Sequence, residues 1–249
     1  GVESASPDGS LVTRLRVIDV TTPAAPREVG FVDMPGWAQG ISVVDGIAYV
    51  AAGWTGLRVI DVTTPGAPRV VGSLETPGWA MGVAAVGSHA YVAVGQARSQ
   101  SDQPGLHVID VSTPSAPLKV GVLQTQGEAV GVDVAGAYAY LAEWEGLRVV
   151  DVTTPISPTQ VALLEMEYDA QGVSVAGDYA YVIADGVRVV DVGTPSAPQQ
   201  LGSFDTTGWA FGVDVVGNYA YVIDDGLRVI DVTMPESPAE VASLETIRT

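Results

Sequence analysis

Apolar residues in this chain fall in short blocks cut by Gly, Pro, Ser, Thr and Asp, and no stretch keeps a 3.6-residue apolar stripe. Residues 82–86 are small and apolar, and Gly87-Ser88 reads as a turn. Residues 90–93 and 106–111 are two further apolar runs. A segment with two prolines, residues 112–117, then breaks the chain before residues 118–123 resume it. Four β-rich runs separated by turn residues predict a four-stranded antiparallel meander, and almost no helix. Most strands are apolar on both faces, which suits a sheet sandwiched between two neighbours.

The unit recurs. Leu-Arg-Val-Ile-Asp-Val starts at Leu15, Leu57 and Leu227, with close variants at Leu106, Leu147 and Val187. Its Asp falls at Asp19, Asp61, Asp110, Asp151, Asp191 and Asp231, so the spacing is 40 to 42 residues with one of 49. A fixed period of this size is one supersecondary unit stacked on copies of itself. With strands a to d running from the centre outward, strand a begins at an Ala-x-Gly phrase near Gly40, Gly82, Gly131, Gly172 and Gly212. There the absence of bulk lets backbones approach. Strand b carries Tyr49, Tyr91, Tyr140, Tyr181 and Tyr221, strand c is the repeated phrase, and strand d follows a Thr-Pro-x-x-Pro connection. The expectation is one all-β domain over residues 1–249, a β-propeller of four-stranded antiparallel blades. Its repeats lie near 1–35, 36–77, 78–126, 127–167, 168–207 and 208–249. Six blades with a reduced first blade is the preferred count, with residues 2–6, a turn at 7–9 and residues 10–13 read as the shortened strands a and b of the first copy. Five blades, or a fragment of a larger ring, are the alternatives.

Two repeated side-chain features belong to the scaffold. The Asp of each phrase is read as an acceptor of backbone N–H groups in the turn after it. Arg16, Arg58, Arg148, Arg188 and Arg228 each precede an acid by seventeen residues, at Asp33, Glu75, Glu165, Asp205 and Glu245. In the remaining copy the pair is His107 and Gln124. Folding the c–d hairpin is expected to bring these pairs together as diagonal cross-strand contacts.

Composition narrows the function. The 29 acids and 11 bases give a formal charge of −18, which repels nucleic acid and leaves cations, cationic groups and neutral sugars as partners. There are no cysteines and only two histidines, His89 and His107. Thiolate chemistry is therefore excluded, and a multi-histidine metal site is hard to build. No apolar run nears the ~20 residues of a membrane helix, so membrane insertion is not expected. No signal peptide is visible. No cofactor is expected; acid clustering would suit calcium, but no Asp-x-Asp-x-Asp loop supports it.

The phrases Leu-Arg-Val-Ile-Asp-Val, Thr-Pro-x-x-Pro and Ala-Tyr-Val resemble the LVIVD-repeat family of bacterial and archaeal β-propellers, over residues 15–246. The resemblance implies a propeller that is exported or displayed on the cell surface. It brings no agreed activity, no cofactor and no catalytic residues.

Positions where the repeats diverge are free for function. The d–a connections and b–c turns should open on one face. Just before the Ala-x-Gly phrase stand Trp37, Trp79, Glu128, Asp169 and Trp209, and the b–c turns carry Trp54, Glu143, Trp144 and Glu145. Tyr168, with Glu167, Asp185, Asp224 and Asp225, is expected at the same end. Aromatic rings beside carboxylates suit stacking on sugars or holding a cationic group. The reading is a non-catalytic recognition module for a protein, glycan or cationic small ligand. One alternative is a glycoside hydrolase or lyase using Glu128 and Asp169. The other is a structural assembly unit of undefined oligomeric state.

Overall fold

The protein is described by a computed structural model that covers residues 4–5, 11–97, 104–206 and 208–245. The chain divides into two compact units, residues 1–121 and 122–249. No helix occurs among the described residues, and so none is long and apolar enough to cross a membrane.

The first unit opens with a three-stranded sheet, β1 (Ser4–Ala5), β2 (Leu11–Asp19) and β3 (Arg27–Pro35). Two four-stranded antiparallel sheets follow. One is β4 (Gly40–Val44), β5 (Ile47–Ala51), β6 (Leu57–Asp61) and β7 (Arg69–Leu74). The other is β8 (Gly78–Val86), β9 (His89–Ala97), β10 (Gly105–Asp110) and β11 (Leu118–Gln124), whose last strand runs over the unit boundary. The second unit holds three more. These are β12 (Ala129–Ala135) to β15 (Thr159–Glu165), β16 (Gly172–Ala176) to β19 (Gln199–Phe204), and β20 (Gly212–Val216) to β23 (Ala239–Glu245). Within each sheet the strands pair in chain order, as the meander predicts.

Among the described residues five sheets are complete four-stranded blades, the count held as an alternative to six, and the first sheet has three strands. The stretch expected to supply a separate strand b to the first copy, residues 11–13, instead runs into the repeated phrase as the single strand β2. No turn-forming residue separates Thr13 from Leu15, so nothing stops the strand. Residues 1–3 and 6–10 of that expected a–b segment lie outside the described residues, as do 98–103 of the long insertion at 95–105.

Blade packs on blade through one recurring set of residues. In the second unit, Tyr140, Ala142, Leu147 and Val149 meet Ala170, Ala180, Val182, Val190 and Val192. The next junction repeats this with Tyr181, Ile183, Val187 and Val189 against Ala210, Ala220, Val222, Ile230 and Val232. In the first unit Tyr49, Ala51, Leu57 and Val59 meet Ala80, Ala90, Val92, Ile109 and Val111. Each large buried aliphatic contributes about 1.5–3 kcal/mol. The innermost strands approach closely: a Cβ on Gly131 would lie 3.0 Å from the Gly172 Cα.

All six repeated aspartates cap the c–d turn. Oδ1 of Asp19, Asp61, Asp110, Asp151, Asp191 and Asp231 accepts the backbone N–H two residues on, at 2.8–3.0 Å. A hydroxyl bond from Thr63, a pairing to Arg69 and the Thr63 N–H bond hold the Asp61 carboxyl down at about 2. Asp151→Ala should therefore lower the urea unfolding midpoint, because it leaves the turn's N–H groups without their acceptor, whereas Asp178→Ala, at a neighbouring turn, should leave the midpoint nearly unchanged.

The seventeen-residue ion pair forms between Arg188 and Asp205, at 2.8 Å. In the arginine-bearing c–d hairpins strand d carries one extra, unpaired residue, which turns the residue twelve positions after the arginine toward it. Arg16 pairs with Glu28 at 2.8 Å, Arg228 with Glu240 at 2.7 Å, and Arg148 bonds Gln160. Asp33 is taken by Arg14 at 2.7 Å instead. Arg188, whose residue twelve positions on is Gln200, pairs with Asp205 instead, and Arg58 has Val70 at that place. Arg58 donates toward its neighbour Leu57's carbonyl, at 3.4 Å; burial lowers its pKa, opposed by the negative charge of Glu75.

Candidate ligand-binding site

In both units the d–a connections meet the b–c turns. In the first, Gly53 of the β5–β6 turn exchanges backbone hydrogen bonds with Ala80, both 3.1 Å. This brings three tryptophans together. Trp79 lies 5.6 Å from Trp37 and 5.1 Å from Trp54, centroid to centroid, with tilted rings. A Cβ on Gly53 would stand 2.7 Å from Trp79 Nε1, so glycine permits that contact. Trp37 and Trp54 remain 39% and 38% exposed. The rings pack against one another and leave a surface rather than a cage.

The second unit has a concave site. A cavity of about 550 Å³ is lined by Glu167, Tyr168, Asp169 and Gln171, by Ile183 and Asp185, and by Thr206, Gly208, Trp209 and Ala210. Its walls are thus the connection after β15, the turn between β17 (Tyr179–Ile183) and β18 (Val187–Asp191), and the connection after β19. Ala170 N–H donates to the Glu143 carbonyl at 3.2 Å and Gln171 N–H to the Ile183 carbonyl at 2.8 Å, which anchors the first wall. Asp185 sits at φ +51, and Gly186 follows at φ +103. Arg188 braces that turn by donating to the Asp185 carbonyl at 2.8 Å while it holds Asp205. Thr206 Oγ1 donates to the Gly208 carbonyl at 2.7 Å and shapes the loop that carries Trp209. Trp209 is 71% exposed and Tyr168 44%. Three carboxylates and two aromatic rings converge, and no basic side chain is among the lining residues.

The remaining candidates separate from this cavity. Glu143 is fully buried, so it is no ligand contact; its Oε1 accepts from Arg148 Nε at 2.6 Å. Burial pushes its carboxyl up to about 7, against the pull of the Arg148 charge. Glu145 binds the same guanidinium at 3.0 Å. Asp224, at the corresponding place in the last blade, likewise pairs with Arg228. Trp144 is half-exposed beside Gly127. Glu128 is half-buried, its carboxyl raised by desolvation, but it does not line the cavity that Asp169 lines. Gln171 and Thr206 escaped the sequence reading. Gln171 occupies the variable middle of an Ala-x-Gly phrase, where Met81, Val130 and Phe211 stand in other copies, and that variation was the available signal. Among the described residues no group of three or more His, Asp or Glu is arranged to hold a metal ion.

Four-stranded antiparallel blades with this inner-to-outer order define a β-propeller. The chain belongs to the LVIVD repeat family, whose model matches residues 35–76, 77–125, 126–163, 168–206 and 207–246. Solved structures share the fold. A functionally unknown protein from Desulfotomaculum acetoxidans matches with TM-score 0.77 at 12% identity, covering 94% of this chain and 77% of that one. The periplasmic gluconolactonase of Pseudomonas aeruginosa matches with TM-score 0.74 at 14% identity, covering 98% and 85%. A computationally designed protein, Ika8, matches with TM-score 0.65 at 10% identity, covering 90% of this chain and 66% of its own. No curated protein sequence matches the chain.

Proposed function

We propose that the cavity of the second unit is a non-catalytic recognition site for a small cationic ligand. The observation that carries this reading is the lining: Glu167, Asp169 and Asp185 beside Tyr168 and Trp209, with no basic side chain. The volume lies in the range of small-molecule sites. Carboxylates supply charge attraction, and exposed rings supply cation–π contact worth about 0.5–2 kcal/mol. The protein's overall charge of −18 concentrates cations around it.

Calorimetric titration with choline and spermidine, beside neutral oligosaccharides, tests the proposal. The cations should bind, and more weakly as salt rises. Asp169→Asn should weaken binding about tenfold, or ~1.4 kcal/mol. Trp209→Ala should weaken it several-fold. Neither should move the melting temperature, because both side chains are exposed. Oligosaccharide binding without cation binding would replace this reading with glycan recognition. Turnover of a sugar or lactone would replace it with the hydrolytic one.

A further inference from the structure

The cavity of the second unit is built in two tiers. Ile183 and Ala210, both buried, form an apolar floor. The three carboxylates of Glu167, Asp169 and Asp185 are exposed and stand at the rim. They occupy two different walls. Glu167 and Asp169 lie on the connection after β15, and Asp185 lies on the turn between β17 and β18. Among the described residues no side-chain hydrogen bond or ion pair engages any of the three. Arg188 donates to the Asp185 backbone carbonyl rather than its carboxylate, and its charge is matched by Asp205. Acids with structural work in this unit are engaged. Glu240 pairs with Arg228 at 2.7 Å, and Asp151, Asp191 and Asp231 accept turn N–H groups. The three rim carboxylates repel one another, and no protein cation at the cavity offsets that repulsion.

This arrangement distinguishes between two kinds of cation. A compact quaternary ammonium is held best inside a desolvated cage of rings. Here only Tyr168 and Trp209 line the site, and both rings are largely open to solvent. A compact ion also meets one wall at a time and leaves the charge of the other unmatched. A linear chain with an ammonium at each end meets both walls. Its methylenes cover the floor of Ile183 and Ala210, where apolar contact is favourable. Its ends reach separate carboxylates, each an exposed ion pair of modest strength. Resting on the cation site proposed above, we infer that the ligand is a linear diamine or polyamine, with one ammonium beside Glu167 and Asp169 and another beside Asp185.

Calorimetric titration with 1,5-diaminopentane, 1-aminopentane and choline at low salt tests this. The two amines share one alkyl body and differ by a single ammonium. The diamine should bind about five- to tenfold tighter than the monoamine, more than the factor of about two that having two ends supplies. It should also bind tighter than choline, and its advantage should fade as salt rises. Asp185→Asn neutralises the second wall and should remove most of the diamine's advantage, whereas Asp169→Asn should weaken both amines. Asn tolerates the φ of +51 at this position, so the melting temperature should hold. Asp185→Gly, which that backbone angle also suits, serves if it does not. A diamine advantage of about twofold or less overturns the inference and leaves cation recognition in place. So does choline binding tighter than the diamine, or an advantage that survives the loss of the Asp185 carboxylate. Binding of none of the three probes overturns both.

Discussion

Arg148→Met should destabilise the second unit by roughly 3–5 kcal/mol at neutral pH, because it strands a buried carboxylate. Glu143 is completely buried, and its Oε2 has no hydrogen-bond partner among the described residues. Arg148, 7% exposed at its side chain, is the charge that makes an ionised Glu143 tolerable there. The penalty should depend on pH in a definite direction. The Glu143 carboxyl is raised from 4.5 to about 7 in the folded chain, so the folded state holds the proton more tightly than the unfolded one. Between those values stability falls as pH rises. Above about 7 the full cost applies, on the order of 3 kcal/mol. Removing Arg148 takes away both the charge and the hydrogen bond that lower this pKa, so the loss in Arg148→Met should be small at pH 5 and large at pH 8. Glu143→Gln should flatten the pH dependence between 5 and 8, and adding it to Arg148→Met should recover much of the loss. Urea unfolding of the four proteins at both pH values measures this, and a pH-independent penalty would exclude Glu143 as its source.

Gly186→Ala should cost several kcal/mol and empty the cavity of ligand. Gly186 has φ +103, and an added Cβ would meet the Phe204 carbonyl oxygen at 2.4 Å. The backbone conformation alone accounts for about 1–3 kcal/mol, and the carbonyl belongs to a paired strand that cannot give way cheaply. Any shift of this turn moves Asp185 in the cavity wall. Gly177→Ala is the control. That glycine has φ +60, and its Cβ would meet nothing within 4 Å. It should cost only about 1–2 kcal/mol and leave binding intact. Unfolding curves and choline titration of both variants check the contrast, and equal losses at the two positions would show that the carbonyl contact is unimportant.

At the corresponding glycine, Gly146, an added Cβ would likewise meet the Leu164 carbonyl oxygen, at 2.2 Å. The repeated phrase therefore carries this constraint from blade to blade, together with its capping Asp. Such features were legible because they are local and repeated. A turn needs its acceptor two residues away, and six copies make the pattern plain. Inner-strand Ala and Gly, the b-strand Tyr and the order of strands were legible for the same reason.

What the sequence determined by itself was the unit, its period, its all-β character and its stacking. Each follows from spacing along the chain and from strands apolar on both faces. Blade number escaped it, because strand existence near Leu11 depends on whether a turn interrupts β2, and nothing in residues 11–15 does so. The ion-pair register escaped it because Val161 of β15 is left unpaired, as are its equivalents in other copies, which turns the residue twelve positions after the arginine toward the arginine's face. That brings Gln160 rather than Glu165 to Arg148. The tertiary structure alone divided the candidate residues. Trp37, Trp54 and Trp79 close on one another, whereas Asp169, Tyr168 and Trp209 open a cavity. Glu143 and Glu145 differ by two positions, yet one is sealed in the core and the other reaches solvent. Repeats fix which loop a side chain occupies, but the local backbone angles and the neighbouring loops decide whether it meets solvent, a ring or a charge.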